Sequence, residues 1–352
     1  MKHKPIRVLI VDDSVFMRSM LRHALERIDI IEVIDTAQNG TLGLKKILAS
    51  KPDVVTLDIE MPGMSGLEVI DRVMKERPTA IVVVSTKTQA GAKTTLDALE
   101  RGAVDYVAKP LADKDARIES FREKVVHAVL AAAASNRGSL AQKIAPSEFG
   151  GIGKDVPLDS VVAIGISAGG PQTLHQILPT FPRNFPPILI TQHMPADFTK
   201  PLADRLNLES RIEVKEASHG SELLPGTALI APGDTHLRVT GRGSRLAVEI
   251  SKGPKVGGFR PSVDVMFDSL ASACPERTVA IVMTGMGTDG ATGLELLKKE
   301  GAHTLAQDQA SSVVFGMPKA AFETGCVDHV VALPNIPRAL ADGARSLLAV
   351  RR

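Results

Sequence analysis

Three residues of this chain carry the side chains of a hydrolytic relay, and each follows a run of apolar residues. Val161-Val162-Ala163-Ile164-Gly165-Ile166 leads into Ser167, Ile188-Leu189-Ile190-Thr191-Gln192 into His193, and Val279-Ala280-Ile281-Val282-Met283-Thr284 into Gly285-Met286-Gly287-Thr288-Asp289-Gly290. Runs of this length and composition read as strands buried on both faces. Parallel strands would bring Ser167, His193 and Asp289 to one sheet edge. There the hydroxyl can attack, the imidazole can take its proton, and the carboxylate can fix the imidazole tautomer. Gly165-Ile166-Ser167-Ala168-Gly169 also matches the G-x-S-x-G elbow, a sharp strand-to-helix turn that pushes a serine out of the sheet. The backbone N–H groups of Gly285-Met286-Gly287 would suit an oxyanion. The order Ser, His, Asp differs from the Ser, Asp, His of α/β-hydrolases, so the elbow does not imply that fold.

Other readings of the same residues stand beside this one. Gly165-x-Ser167-x-x-Gly170 is a dinucleotide fingerprint without its middle glycine, and an oxidoreductase would need an acidic residue about 20 positions on. Phe185-Pro186-Pro187-Ile188-Leu189 offers none. The turn could also carry no chemistry, with Asp289 as a helix N-cap, in a partner-binding effector domain that is not an enzyme.

A second constellation lies near the start of the chain. Asp12 and Asp13 end one strand-like run, Asp58 another, Ser85-Thr86 a third and Lys109-Pro110 a fourth. Three carboxylates at one edge repel one another unless a cation sits among them, and a hard divalent ion with oxygen ligands, most simply Mg²⁺, answers that. The lysine and hydroxyl at the same edge suit an oxyanion. Each carboxylate could instead cap the helix that follows it.

The elements that must position these groups follow from periodicity. Strands are expected at Ile6–Val11, Glu32–Ala37, Asp53–Leu57, Ala80–Ser85 and Asp105–Ala108, with helices between them. One helix carries Met17, Leu21, Ala24 and Ile28 on one face, and another, Ile118 to Asn136, carries Ile118, Phe121, Val125 and Val129. Repeated βα units imply an open parallel sheet covered on both faces, with ligands at the carboxyl ends of its strands. From Ala131 to Leu158 the chain is rich in Ala, Ser, Gly and Pro and reads as a tether. Strands resume at Val161–Ser167, Ile188–Gln192, Ala228–Ala231, Val279–Thr284, His303–Ala306 and Val327–Leu333. Helices are expected at Ala196–Leu206, Val263–Ala273 and Gly293–Lys299, and a hairpin at His236–Ser251 is expected to add to the sheet. The fold class expected is α/β: two doubly wound parallel-sheet domains, the first flavodoxin-like, the second Rossmann-like with a β-hairpin attachment.

Composition narrows the function classes. The chain has 352 residues, 44% hydrophobic, with a net charge of +2, no tryptophan and one tyrosine. That balance argues against nucleic-acid binding by charge or by base stacking. Cys274 and Cys326 lack metal-ligand spacing and read as packing residues in a reducing, cytoplasmic setting. Met1-Lys2-His3-Lys4-Pro5 runs directly into a strand, so no signal peptide is expected. No apolar run reaches the roughly 20 residues of a spanning helix.

Residues Ile6 to about Leu130, including Asp58-Ile59-Glu60-Met61-Pro62-Gly63-Met64-Ser65-Gly66, resemble the receiver domain of two-component response regulators. That resemblance implies Asp58 as phosphoacceptor, Mg²⁺ held by Asp12, Asp13 and Asp58, Lys109 on the phosphoryl group, Ser85 as switch hydroxyl and Tyr106 as switch aromatic. The second half resembles the catalytic domain of chemotaxis protein-glutamate methylesterases. The matching segments are Gly165–Gly170, Ile190–Pro195, Ile230–Asp234, Arg260–Asp264 and Thr284–Gly290, although the family commonly has Thr where Ala168 stands. The resemblance divides the chain into a receiver at 1–130, a linker at 131–158 and a catalytic domain at 159–352. It implies a Ser167–His193–Asp289 triad, the Met286 N–H in the oxyanion hole, and an esterase that needs no cofactor of its own. It further implies methyl-accepting chemoreceptors as substrate, a chemotaxis histidine kinase as phosphodonor, and contact with membrane-bound receptor arrays through those partners alone. Glutamine deamidation on the same receptors, and an unphosphorylated receiver that restrains the esterase, belong to the same implication.

Overall fold

The computed structural model of the chain describes residues 4–86, 88–110, 115–135, 155–243 and 245–351. The chain divides into two compact units, Met1–Leu140 and Ala141–Arg352. No helix among the described residues is long and apolar enough to cross a membrane.

The first unit alternates β1 (Ile6–Val11), α1 (Val15–Leu25), β2 (Ile31–Ala37), α2 (Gly40–Ser50), β3 (Val54–Asp58), α3 (Gly66–Glu76), β4 (Ala80–Ser85), α4 (Gln89–Glu100), β5 (Asp105–Ala108) and α5 (Asp115–Ala133). Its sheet runs β2-β1-β3-β4-β5, all parallel. The inner strands are mostly apolar because helices cover both faces: every residue of β3 and β4 is buried. Helix α1 starts at Ser14, whose side chain accepts the Met17 N–H, and buries Met17, Leu21 and Ala24. Helix α5 buries Phe121, Val125 and Val129, as its stripe predicts. It takes in Ala131–Ala133, where the tether was expected to begin, because Ala131 and Ala132 are themselves buried. Asn136 and most of the expected tether, 136–154, lie outside the described residues.

The second unit holds β6 (Val161–Ile166), α6 (Gly170–Ile177), β7 (Ile188–Gln192), α7 (Ala196–Glu209), β8 (Glu213–Glu216), β9 (Thr227–Ile230), β10 (His236–Arg242), β11 (Arg245–Ser251), α8 (Val263–Ala273), β12 (Thr278–Val282), α9 (Ala291–Lys299), β13 (His303–Gln307), α10 (Met317–Glu323), β14 (His329–Val331) and α11 (Ile336–Arg351). Seven strands form one parallel sheet, β14-β13-β12-β6-β7-β9-β8. Strand order reverses at β6, which has β7 on one side and β12 on the other. That reversal opens a crevice at the carboxyl end of β6.

Two expectations need correction. The hairpin β10–β11 is a separate two-stranded sheet and does not extend the main one. Its alternating Leu237, Val239, Leu246 and Val248 form a single apolar face, which is buried in one cluster with Phe267, Leu270 and Ala271 of α8. Strand β8, Glu-Val-Lys-Glu, was not expected. It is the sheet's edge, where charged residues protect unpaired backbone, so the apolar pattern of an inner strand is missing.

Candidate active site

Ser167 is the first residue beyond β6 and is 9% exposed. Its N–H donates to Thr284 O at 2.9 Å, and its carbonyl accepts the Gly170 N–H at 2.8 Å, closing a tight turn onto α6. Gly169 makes that turn at φ +73, where a Cβ would lie 2.5 Å from Val313 Cβ. Gly285 is required for a different reason: a Cβ there would sit 2.7 Å from Ser167 Cβ, so only glycine lets the chain leaving β12 pass this close.

His193 is the first residue beyond β7, and its N–H donates to Ile166 O at 3.1 Å. Adjacent parallel strands thus set serine and histidine side by side. His193 Nδ1 is 3.1 Å from Ser167 Oγ, and Nε2 is 2.7 Å from Asp289 Oδ2. The imidazole is 7% exposed and stacks on Phe259, with centroids 3.9 Å apart and planes 8° from parallel. With Nε2 facing a carboxylate, the proton of the neutral ring belongs on Nε2, which leaves the Nδ1 lone pair for the serine.

Asp289 is not the cap of α9, the helix it precedes. Its Oδ2 accepts the Val263 N–H at 2.7 Å, and its Oδ1 accepts the Ser262 hydroxyl at 2.8 Å and the Asp264 N–H at 3.1 Å. All three donors lie at the start of α8. Asp264 returns the exchange: its Oδ1 accepts the Gly290 N–H at 3.0 Å and the Gly293 N–H at 2.7 Å, capping α9. The two helices are joined by crossed carboxylates. Burial alone would raise the Asp289 pKa, but His193, Val263 and Ser262 together hold it below the usual range. Asp264 is pushed up to about 6, chiefly by burial.

Among the described residues, neither the Met286 N–H nor the Ala168 N–H donates to a protein acceptor. Gln192 Nε2 donates to the carbonyls of both Ser167 and His193, at 3.0 and 3.2 Å. Gln192, Ser262 and Asp264 fall inside segments that carry the family resemblance but had no role read for them, and Phe259 carries no functional signal in sequence. Their partners lie 25 or more residues away for Ser167 with Gln192 and for Asp289 with Asp264.

In the first unit, oxygens of Asp12, Asp13 and Asp58 lie within 4.8 Å of one another. Lys109 Nζ reaches Asp58 Oδ2 at 2.7 Å and Asp12 Oδ2 at 3.2 Å. Burial pushes Asp12 and Asp58 up despite Lys109. For Lys109 itself burial works downward, and the two carboxylates outweigh it, so its pKa is raised. Asp12 Oδ2 is buried with no donor beyond that ammonium. One lysine against three carboxylates leaves negative charge uncompensated, and an all-oxygen set of this kind fits a hard divalent cation. Ser85 stands at the same edge, but its hydroxyl donates to Gly91 O at 3.3 Å. Tyr106 is half-buried in β5, opposite Val83. The acidic residues and Lys109 are therefore assembled, while the Ser85 hydroxyl is directed to Gly91 and Tyr106 stands within β5.

Comparison with known proteins agrees with both halves. Residues 8–119 match the response regulator receiver domain, and residues 162–340 match the CheB methylesterase domain. A protein-glutamate methylesterase/protein-glutamine glutaminase of Caulobacter vibrioides is 48% identical over 96% of this chain and 97% of its own length. The protein of that name from Pyrococcus abyssi is 42% identical, over 95% and 92%. The crystal structure of the Thermotoga maritima CheB methylesterase catalytic domain superposes with a TM-score of 0.51 at 42% identity, covering 52% of this chain and 97% of that one. With a receiver domain ahead of a methylesterase domain and such identity along nearly its whole length, the chain belongs to the CheB protein-glutamate methylesterase family.

Proposed function

We propose that the chain is a phosphorylation-regulated serine esterase of the cytoplasm. Its substrates are the glutamate methyl esters of methyl-accepting chemoreceptors, which it hydrolyses to adapt chemotaxis, and it deamidates receptor glutamines by the same route. The observation that carries this reading is the unbroken Ser167–His193–Asp289 line at the point where strand order reverses.

In this mechanism Ser167 Oγ attacks the ester carbonyl while His193 Nδ1 takes its proton. Asp289 keeps the other proton on Nε2 and stabilises the imidazolium. The Met286 N–H faces the oxyanion of the tetrahedral intermediate. Nδ1 returns the proton to the leaving oxygen, methanol departs and an acyl-serine remains. Water then gives a proton to Nδ1 and attacks the acyl carbon, releasing the glutamate carboxylate and restoring the serine hydroxyl. A glutamine substrate differs in that ammonia leaves.

In the receiver, an Asp58 oxygen accepts the phosphoryl group of a phosphohistidine on the chemotaxis histidine kinase. Asp12, Asp13 and Asp58 would hold Mg²⁺, which neutralises charge during transfer. Lys109 binds the transferred group, and Ser85 and Tyr106 rearrange around it. The test is purified protein with methyl-labelled receptor, scored for methanol with and without a small phosphodonor. Methanol release that rises with the donor is expected. No methanol from either sample would overturn the reading.

A further inference from the structure

Phe259 lies on the imidazole without entering the Ser–His–Asp line. It ends a four-residue turn, Val256-Gly257-Gly258-Phe259, in which Gly257 has φ +58 and Gly258 φ +88. Two successive residues of positive φ between paired strand ends make a tight reversal that only glycines accept readily. Val256 and Phe259 close it with reciprocal backbone hydrogen bonds of 3.1 and 2.9 Å. The next residue anchors it: the Arg260 guanidinium donates to Gly253 O at 2.8 Å and to Asp234 Oδ1 at 3.1 Å. From the far side, His236 Nε2 donates to Pro254 O at 2.8 Å, and its Nδ1 accepts the Ser262 N–H at 3.3 Å. A loop open to solvent at its tip is thus fixed on both flanks, and what it presents inward is one phenyl face.

From this placement, and on the esterase reading above, we propose that Phe259 is a positioning residue: it fixes the plane of the His193 ring and stabilises the imidazolium that forms at each proton transfer. An imidazole can rotate about the bond joining it to the chain. Only one orientation points Nδ1 at Ser167 and Nε2 at Asp289 together. A phenyl ring lying parallel at 3.9 Å blocks rotation out of that plane. Its negative face also attracts the ring when it is charged, and it shields that face from water. The effect falls on the step in which His193 carries two protons, so it appears in kcat.

The charged groups around His193 are Asp289, in contact with it, and Asp264 behind Asp289; on the loop Arg260 pairs with Asp234, with Lys252 and Lys255 near that carboxylate. None of these changes in the variants below. The experiment compares the intact wild type with Phe259→Leu, which keeps bulk but has no π face, and Phe259→Tyr, which keeps the ring. Folding is checked by thermal unfolding, kcat and KM are measured across pH on methylated receptor, and His193 is titrated by NMR without substrate.

Phe259→Leu should lower kcat about five- to tenfold with KM unchanged, as loss of a partly desolvated cation–π contact requires. Its His193 should titrate at lower pH than in wild type, because the charged ring has lost its partner. Phe259→Tyr should restore both. A folded Phe259→Leu protein with wild-type kcat and an unmoved His193 titration overturns the proposal, as does a rise in KM alone, which would make Phe259 a substrate contact. Ser167→Ala is run alongside. If it remains active, the esterase reading itself fails; if it is dead while Phe259→Leu is unaffected, only the role of Phe259 fails.

Discussion

In the proposed mechanism the reaction depends on one oxygen, that of Ser167. Ser167→Ala should reduce ester hydrolysis by about 10⁶-fold, and His193→Ala by nearly as much, because nucleophile and base act as a unit. Asp289→Ala should cost less in rate, about 10⁴-fold, since the carboxylate orients and stabilises without reacting. It should also cost stability, which Ser167→Ala should not. Asp289 accepts from Ser262, Val263 and Asp264 as well as facing His193, so removing it strands the start of a helix. Methanol release and a thermal melt on the same three proteins separate the two effects. Asp289→Ala melting at the wild-type temperature would show that the α8 contacts contribute nothing measurable.

The helices matter because their ends, not their lengths, hold the chemistry. Helix α8 crosses β6 so closely that a Cβ on Gly165 would lie 2.2 Å from Val263 Cγ1. Gly165→Ala should therefore destabilise the protein by about 1–3 kcal/mol, the usual cost of forcing a methyl into a packed site. Adding Val263→Ala should return part of that loss, because the two residues share one space. Urea unfolding of the single and double variants checks this, and an undiminished single variant would contradict it. The crossed caps predict a pH effect as well. The Asp264 carboxyl is pushed up to about 6 in the fold, against about 3.9 in an unfolded chain. Between those values the unfolded state ionises while the folded state keeps its proton, so stability falls as pH rises through that window. Asp264→Asn keeps an oxygen for Gly290 and Gly293 and has no proton to lose. Its melting temperature relative to wild type should improve from pH 4 to pH 7, and a difference that stays flat would exclude Asp264 as the cause.

Across the whole molecule, the proposed phosphate on Asp58 would have to bias a catalytic unit that has its own sheet and core. Such a bias is a population shift whose size equals the free-energy difference it feeds on, and 1.4 kcal/mol corresponds to tenfold. A phosphodonor with Mg²⁺ should raise methanol release by the intact protein and leave Asp58→Asn unlabelled and unstimulated. If the receiver acts by restraint, a fragment 159–352 should exceed the intact unphosphorylated protein and ignore the donor. A folded fragment that is no faster, beside an intact protein that still responds, would mean that the receiver activates directly.

Strand-end chemistry was legible in the chain because buried parallel strands are near-continuous apolar runs, and the polar residues in the turns that follow them lie at one edge. That rule alone aligned Ser167 with His193 and Asp289, and Asp12 with Asp58 and Lys109. It failed where local pattern carries no tertiary information. The charged edge strand Glu213–Glu216 resembles a loop, and the hairpin at His236–Ser251 shows its apolar face without revealing that α8 covers it. Sequence also could not decide whether Asp289 caps its own helix or orients a histidine. Local spacing fits both, and the choice is made by the start of α8, whose Ser262 hydroxyl and Val263 and Asp264 N–H groups arrive from 25 to 27 residues away and leave the carboxylate ionised beside the imidazole. The same holds for Phe259: an aromatic in a glycine turn has no signature, and its place over His193 exists only once the loop is tied down by Arg260 and His236.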